Sequence, residues 1–273
     1  GGAFSYIVSS ITTANAGGNL QWSLYLASAS SLALGIYSLA LPHKIVKKEK
    51  NDNIVFRDSL KIILEPRLLF LALFSIIITF ADRYYVFGGA IFLKALNFAE
   101  SKIMLVLGIG QIPEIIGLFF LGFFISRAGM KKVLLFGIIF EIARFTIFTT
   151  KTTGIPLITG ISLHGLTYAF FFIPVTIFLD SCSDSNTRAS VHQLFSIITG
   201  GIGNFAGNLL AGFTADIFTN PANSQINFTH FWFVPLLLSI IGLFGISICF
   251  SDKKQTMPVY ENCKKPEPQA ELQ

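Results

Sequence analysis

Long apolar stretches separated by short polar segments run along most of this chain. Each stretch holds about 20 residues with almost no charge, which is the length of a helix that crosses a hydrocarbon core of about 30 Å. The alternation of apolar and polar residues that marks the strands of a membrane β-barrel is absent. The pattern therefore predicts an all-α membrane protein. Its predicted spans are residues 22–41, 68–95, 102–126, 131–149, 156–179, 190–218 and 231–250.

The polar segments divide the chain into four parts. Residues 1–41 hold a short apolar stretch and then the first complete span, and we interpret their start as a truncation inside a helix. Residues 42–67 form a long basic connection, in which apolar residues at helical spacing over 55–64 predict an interfacial amphipathic helix. Residues 68–250 hold six spans that predict one helical bundle. Residues 251–273, rich in Lys, Glu, Pro and Gln, predict a disordered tail.

Composition and charge support a membrane protein with a defined orientation. The chain is 52% hydrophobic and only 13% charged, whereas a soluble domain has about 25% charged residues. Basic residues concentrate in residues 42–67, in alternate later loops and in the tail, while the opposite loops hold only Lys94, Lys102 and Lys151. Because basic loops stay on the cytoplasmic side, we expect a cytoplasmic C-terminus. The net charge of +5 then reflects contact with the lipid bilayer and predicts no nucleic-acid partner.

Motifs of metal-dependent and nucleophilic enzymes are missing from the sequence. Cys182, Cys249 and Cys263 lie far apart without metal-ligand spacing. The sequence contains neither HExxH nor GxSxG. We therefore expect no enzymatic activity, no metal and no cofactor.

A short motif lies between the second and third of the six late spans, at residues 122–132. It reads Gly-Phe-Phe-Ile-Ser-Arg-Ala-Gly-Met-Lys-Lys and resembles the loop signature of the major facilitator superfamily, with Ser126 where an acidic residue is usual. Its glycines permit a tight turn between closely packed helices. Arg127 is able to bind a carboxylate at a neighbouring helix end, and Asp180 is the candidate partner, with Arg188 nearby. These three residues are either a cytoplasmic gate or simple topology anchors.

The superfamily resemblance implies an architecture of two six-helix halves joined by a long cytoplasmic loop, with the substrate between the halves near the membrane midplane. The six late spans then correspond to helices seven to twelve. Residues 1–41 correspond to the end of helix five and to helix six. The resemblance thus implies that the N-terminal half of the same protein is the missing partner of this chain.

Several segments resemble the nucleoside:proton symporter family within that superfamily, from helix six onward. The resemblance implies proton-coupled uptake of nucleosides by alternating access, in a plasma or bacterial inner membrane, with the proton as coupling ion. The competing function is a major facilitator carrier for a sugar or another small polar metabolite. The segments are residues 37–43 (YSLALPH), 111–114 (QIPE), 124–133 (FISRAGMKKV), 144–145 (RF), 164–171 (HGLTYAFF), 188–190 (RAS) and 193–195 (QLF).

The family resemblance also implies substrate-binding residues. Gln111 and Glu114 match a Gln and a Glu, three residues apart, that contact the nucleoside in the family. Asp82 and Tyr85 stand where the family has Gln and Asn. Tyr168 matches a family aromatic, but the next residue is alanine where the family has Asp. This exchange indicates either a carboxylate relocated to Asp82 or a different substrate.

The carboxylates have a physical rationale of their own. Glu114 lies mid-span, where an ionised side chain costs at least about 2.5 kcal/mol unless it faces a cavity or a partner. Gln111 shares its helical face. We expect Glu114 and Asp82 to carry the coupling proton; a structural hydrogen bond is the alternative for Glu114. For Asp82 and Arg83, which point about 100° apart on a helix, the alternative is a position near the outer interface, where both reach water.

Other polar and aromatic residues are interpreted as structural. Glu141 and Arg144, three apart on one helix, are expected to neutralise each other. For His164, an interhelical hydrogen bond is preferred over a proton relay. Phe170, Phe171 and Phe172 are expected to face lipid. A stripe of small residues predicts close helix packing: Gly203, Gly207 and Ala211.

Overall fold

The computed structural model describes residues 21–40, 52–184 and 187–250, which are almost entirely helical. The predictions for the opening stretch, for most of the connection before residue 52 and for the tail lie outside these residues. A two-stranded antiparallel hairpin, Thr219–Asn220 with Gln225–Ile226, joins the last two helices. The helices are α1 Gln21–Leu39, α2 Asp52–Ile63, α3 Pro66–Ala95, α4 Glu100–Gly108, α5 Gln111–Ala128, α6 Met130–Thr149, α7 Ile155–Thr167, α8 Ile173–Ser181, α9 Arg188–Ser196, α10 Asn204–Ile217 and α11 Phe228–Cys249.

The six predicted late spans are confirmed as helical segments, with bounds shifted by a few residues. Within the described residues, five segments are long and apolar enough to cross a membrane: Pro66–Ala95, Glu100–Ala128, Ile155–Ser181, Arg188–Ile217 and Phe228–Cys249. The remaining span, α6, has 20 residues but also carries Lys131, Lys132, Glu141 and Arg144. The protein is therefore a multi-pass membrane protein in which one span holds an unusual amount of charge.

The second of these spans bends between α4 and α5. Pro113 has no N–H to donate to the carbonyl of Ile109, so the regular hydrogen-bond ladder is interrupted there. Tighter bonds replace it: the Ile112 N–H donates to the Ile109 carbonyl at 3.2 Å. At this point α5 and α7 are in close contact: Gly165 of α7 packs against the backbone of Gly110 and Glu114.

Two spans contain a π-helical turn. Tyr168–Phe172 lies between α7 and α8, and Ile197–Gly203 lies between α9 and α10. In the first turn the Ile173 N–H donates to the Tyr168 carbonyl, five residues earlier. Pro174 follows at once and supplies no N–H of its own. Turns of this kind are rare and concentrate at functional sites.

Helix α3 lies at the centre of the bundle and packs against α10 and α11, while α11 also packs against α6. The predicted packing stripe on the fifth late span is confirmed: a Cβ added at Gly207 would lie 2.8 Å from Arg83 Cγ. Aromatic side chains fill the core near the ends of α6 and α11, with the Phe145 and Trp232 rings 5.8 Å apart. The prediction that Phe170 and Phe171 face lipid is wrong, since both are buried against neighbouring helices.

The amphipathic helix predicted at residues 55–64 is confirmed as α2. It packs against α9, and its Ile63 belongs to the same apolar cluster as Val191. Its other face is open, with Phe56 and Leu60 exposed. Such a division of faces suits a helix at the membrane interface.

Candidate functional site

A polar cavity of about 460 Å³ lies between α3, the α7–α8 span and the α9–α10 span. Pockets that bind small molecules typically measure about 300–1,000 Å³. Hydroxyl and amide groups line the cavity beside one carboxylate, so it offers hydrogen bonds to a small polar solute. The polar lining residues, which also include a guanidinium and an imidazole, are Ser75, Thr79, Asp82, Arg83, Tyr168, Thr176, His192, Ser196, Thr199 and Asn204.

Both π turns contribute to the wall of this cavity. The first brings in Tyr168 and Phe172, whose ring centroids are 5.7 Å apart. The second brings in Thr199 and Gly200. Because Tyr168 is 41% exposed, its ring face is available for stacking against a planar ligand.

Asp82 joins the cavity to a network of buried charges. Its Oδ1 lies 3.5 Å from Arg144 Nη2 and 3.3 Å from His164 Nδ1, and its Oδ2 lies 2.6 Å from Arg83 Nη2. Arg144 Nη2 also lies 3.1 Å from Glu141 Oε1, and Arg144 Nη1 lies 2.6 Å from His164 Nδ1. Three helices, α3, α6 and α7, are thereby connected through their ionisable side chains.

The arginine at the centre of this network has no solvent exposure. The Arg144 and Glu141 side chains are 0% exposed and that of Asp82 is 4% exposed. Tyr85 covers the guanidinium, with its ring centroid 4.9 Å from Arg144 Cζ. A buried charge of this kind is tolerated only with partners, so the predicted Glu141–Arg144 pair and the predicted hydrogen bond of His164 are both confirmed, within a larger network.

The structure contradicts the alternative for Asp82 and the expectation for Arg83. Asp82 is not at an open outer surface, since the residue is 3% exposed and lies in the cavity wall. Arg83 does not point away from it: the side chains form a 2.6 Å ion pair. The angle of about 100° between neighbouring residues keeps short side chains apart. The arginine side chain is long enough to bend back and contact the neighbouring Asp82.

Gln111 and Glu114 are not among the residues that line this cavity. Glu114 is in the middle of the Glu100–Ala128 segment, as expected, in the first turn of α5 beyond the bend. Gln111 is exposed and Glu114 is partly exposed. Among the described residues, Glu114 has no hydrogen-bond or ion-pair partner. The structure thus gathers Asp82 and Tyr168 at the cavity and Tyr85 at the network, and leaves the Gln111 and Glu114 side chains on an open face.

Asp180, Arg188 and Arg127 are the three residues interpreted as a gate. Asp180 Oδ1 lies 3.4 Å from Arg188 Nε and 2.7 Å from His192 Nε2. Arg127 instead lies over the Phe123 ring, 4.9 Å from its centroid. The expected Arg127–Asp180 pairing is therefore wrong in this structure, because closer partners on α9 occupy the carboxylate.

Sequence reasoning did not assign functional weight to Arg144, His164 and His192. A usable signal existed for Arg144: a charged residue deep in a span that already carries Glu141 is rare enough to mark function. For His192 the sequence offered no such signal, since its partner Asp180 lies across an interhelical loop.

Comparisons with known proteins place these observations in a family. The family profile described as "Nucleoside H+ symporter" matches residues 2–255. The xanthosine permease of Escherichia coli (strain K12) is 28% identical over 242 residues, covering 81% of this chain and 57% of the permease. The nucleoside permease NupG of the same organism is 25% identical over 251 residues, covering 86% of this chain and 60% of NupG. The chain thus spans somewhat over half the length of these relatives.

Solved structures show the same fold. A crystal structure of the nucleoside transporter NupG carrying a D323A substitution matches with a TM-score of 0.75 at 22% identity, over 90% of this chain and 65% of that one. A second NupG structure matches with a TM-score of 0.70 at 22% identity, over 89% of this chain and 62% of that one. This likeness shows the major facilitator fold. Together with the profile match over most of its length, it leads to the conclusion that the chain belongs to the nucleoside H+ symporter family.

Proposed function

We propose that this chain forms part of a transporter that takes up nucleosides together with protons by alternating access. One observation carries the proposal: in a member of the nucleoside H+ symporter family, a polar cavity suited to a small solute has a buried carboxylate, Asp82, in its wall. An intramembrane carboxylate beside a cavity is the usual mark of an ion or substrate pathway.

The substrate-binding residues of the proposal are of two kinds. Tyr168 offers a ring face to a nucleobase, and Asp82 offers a hydrogen-bond acceptor to ribose hydroxyls or base N–H groups. Tyr85 packs behind Asp82 against Arg144 and holds that part of the wall. Gln111 and Glu114 have exposed or partly exposed side chains, and we assign them to the side of the cavity completed by the N-terminal half of the same protein.

Proton coupling is assigned to Glu114 and Asp82. Glu114 has no ion-pair partner among the described residues, so protonation changes its charge without breaking an existing pair. Asp82 is held by Arg83 and Arg144, so a change in its surroundings is transmitted to both α3 and α6. Replacing Glu114 with glutamine is expected to abolish uptake driven by a pH gradient; unchanged accumulation would remove Glu114 from the coupling site.

The cytoplasmic gate of the proposal consists of Asp180 and Arg188, which form an ion pair, and of Arg127 in the last turn of α5. The positive-inside bias supports a cytoplasmic C-terminus in a cell membrane. No nucleic acid and no cofactor besides the coupling proton enter the scheme.

Uptake assays test the substrate. Cells or proteoliposomes containing the full-length protein are given labelled uridine or a labelled hexose, with and without a protonophore. We expect accumulation of uridine that the protonophore abolishes. Strong hexose uptake without uridine uptake would show that the protein is a different major facilitator carrier.

A further inference from the structure

The Nδ1 atom of His164 faces two groups that make opposite demands on it. Arg144 Nη1 lies 2.6 Å away and Asp82 Oδ1 lies 3.3 Å away. A guanidinium only donates hydrogen bonds and an ionised carboxylate only accepts them. A ring nitrogen without hydrogen accepts, and one with hydrogen donates. Nδ1 therefore serves one of these two partners at a time.

The geometry corresponds to the state in which Nδ1 accepts from Arg144. The 2.6 Å distance is that of a hydrogen bond. Asp82 Oδ1, in contrast, is buried and has no hydrogen-bond partner among the described residues. Buried acceptors are rarely left unsatisfied. Asp82 Oδ1 thus lies beside His164 Nδ1, which gains a hydrogen that it can donate when the imidazole is protonated.

We propose that His164 is a further residue of the proton pathway assigned to Glu114 and Asp82: it binds a transported proton, and protonation of Nδ1 transfers its hydrogen bond from Arg144 of α6 to Asp82 of α3. This inference rests on the proposed function of proton-coupled uptake and deepens it. The proton adds to the lone pair of Nδ1, no covalent bond breaks, and the imidazolium then donates to Asp82 Oδ1. Arg144 keeps its bond to Glu141.

Charges around His164 favour this transfer. Helix α3 presents Asp82, Arg83 and Tyr85, and α6 presents Glu141 and Arg144, so two carboxylates and two guanidiniums balance when the ring is neutral. On the third side, the backbone of Glu114 in α5 packs against the neighbouring Gly165. An imidazolium is repelled by Arg144 and attracted by Asp82. The added charge therefore shifts the ring away from α6 and toward α3.

Solvent exposure indicates that a proton reaches His164 more readily than Asp82 or Arg144. Its side chain is 20% exposed, whereas those of Asp82 and Arg144 are 4% and 0% exposed. The Tyr85 ring packs against the imidazole, with its centroid 4.5 Å from that of the imidazole. Because Asp82 also lines the cavity, a bond between His164 and Asp82 alters the substrate site. By linkage, proton binding and substrate binding then change each other's affinity by the same factor.

The variant His164→Asn tests the proposal in the full-length protein. Asparagine places an uncharged amide near the position of Nδ1, so it provides a hydrogen bond but does not titrate. Reconstituted wild-type and variant proteins are compared in two assays with labelled uridine: accumulation driven by a pH gradient, and exchange against unlabelled uridine at equal pH. Exchange needs no net proton movement. His230→Asn, at an exposed position near the start of α11, is the matched control.

We expect the variant to retain exchange and to lose accumulation by at least a factor of ten, while the control retains both. Accumulation at the wild-type level would overturn the inference. If wild type binds and exchanges uridine but ignores the pH gradient, the proposed proton coupling itself fails, which is a different outcome. A loss of gradient-driven uptake in Glu114→Gln alone, with His164→Asn unaffected, would leave the proposed function intact and refute the role of His164.

Uridine binding to purified protein between pH 5 and pH 8, the range in which histidines titrate, gives a readout that a purely structural role would not change. Wild type is expected to show a pH-dependent dissociation constant and His164→Asn a weaker pH dependence. If His164→Asn does not reach the membrane, the same measurement is made on His164→Gln. A pH dependence equal to that of wild type in either variant would contradict proton binding at this residue.

Discussion

Replacing Arg144 with glutamine removes the guanidinium that two buried carboxylates share. Glu141 then loses the hydrogen bond at 3.1 Å, and Asp82 loses a charge at 3.5 Å. Because the Arg144 and Glu141 side chains are 0% exposed, water does not replace the lost partner. Breaking a buried pair by removing one member costs about 3–5 kcal/mol. At a few degrees per kcal/mol, the fall in Tm is on the order of 10 °C.

The assay is thermal unfolding of the purified protein, followed by tryptophan fluorescence, to which Trp232 in the adjoining aromatic core contributes. The double variant Glu141→Gln, Arg144→Gln completes a double-mutant cycle. We expect it to be more stable than Arg144→Gln alone, since it no longer buries an uncompensated carboxylate at Glu141. Equal Tm values for Arg144→Gln and wild type, or losses that simply add in the double variant, would refute the assignment of a buried charge network.

Three further predictions concern the packing of α10, the cavity and the ion pair of Asp180. Gly207→Ala is expected to destabilise the protein by about 1–3 kcal/mol through overpacking against α3. The control is Gly212→Ala, where an added Cβ meets nothing nearer than 3.8 Å, and it is expected to leave Tm unchanged or raise it. Equal shifts in Tm for the two variants would contradict the close contact between helices α10 and α3. Thr199→Val is expected to raise the Kd for uridine about tenfold by removing a cavity hydroxyl, with Thr159→Val, on an exposed site of α7, as the control in the same equilibrium-binding assay. Asp180→Asn is expected to change the free energy of unfolding by less than about 1 kcal/mol, because the ion pair of Asp180 is partly exposed. The same variant is expected to alter the rate of uridine exchange, and an unchanged exchange rate would argue against a gate.

Hydropathy predicted where the helices lie, because a span must keep about 20 apolar residues together. It did not predict which apolar side chains face the core. Lipid tails are as apolar as leucine, so Phe170 and Phe171 carry no sign of their burial. Asp82, Glu141 and His164 come from three helices, and their meeting depends on how those helices rotate about their axes, which residue spacing along one helix does not determine. The loop motif correctly indicated the fold, whereas the partner of Arg127 depended on the position of α9.

The π turns have a consequence for how side chains are assigned to faces along these two spans. A regular helix turns about 100° per residue, and a π turn accommodates one more residue than regular geometry allows. A helical-wheel drawing carried through Tyr168–Phe172 or Ile197–Gly203 therefore assigns every later residue to a face about 100° from its own. When cysteine-accessibility patterns or alignments along these spans are interpreted, residues must be assigned to helix faces anew after Phe172 and after Gly203.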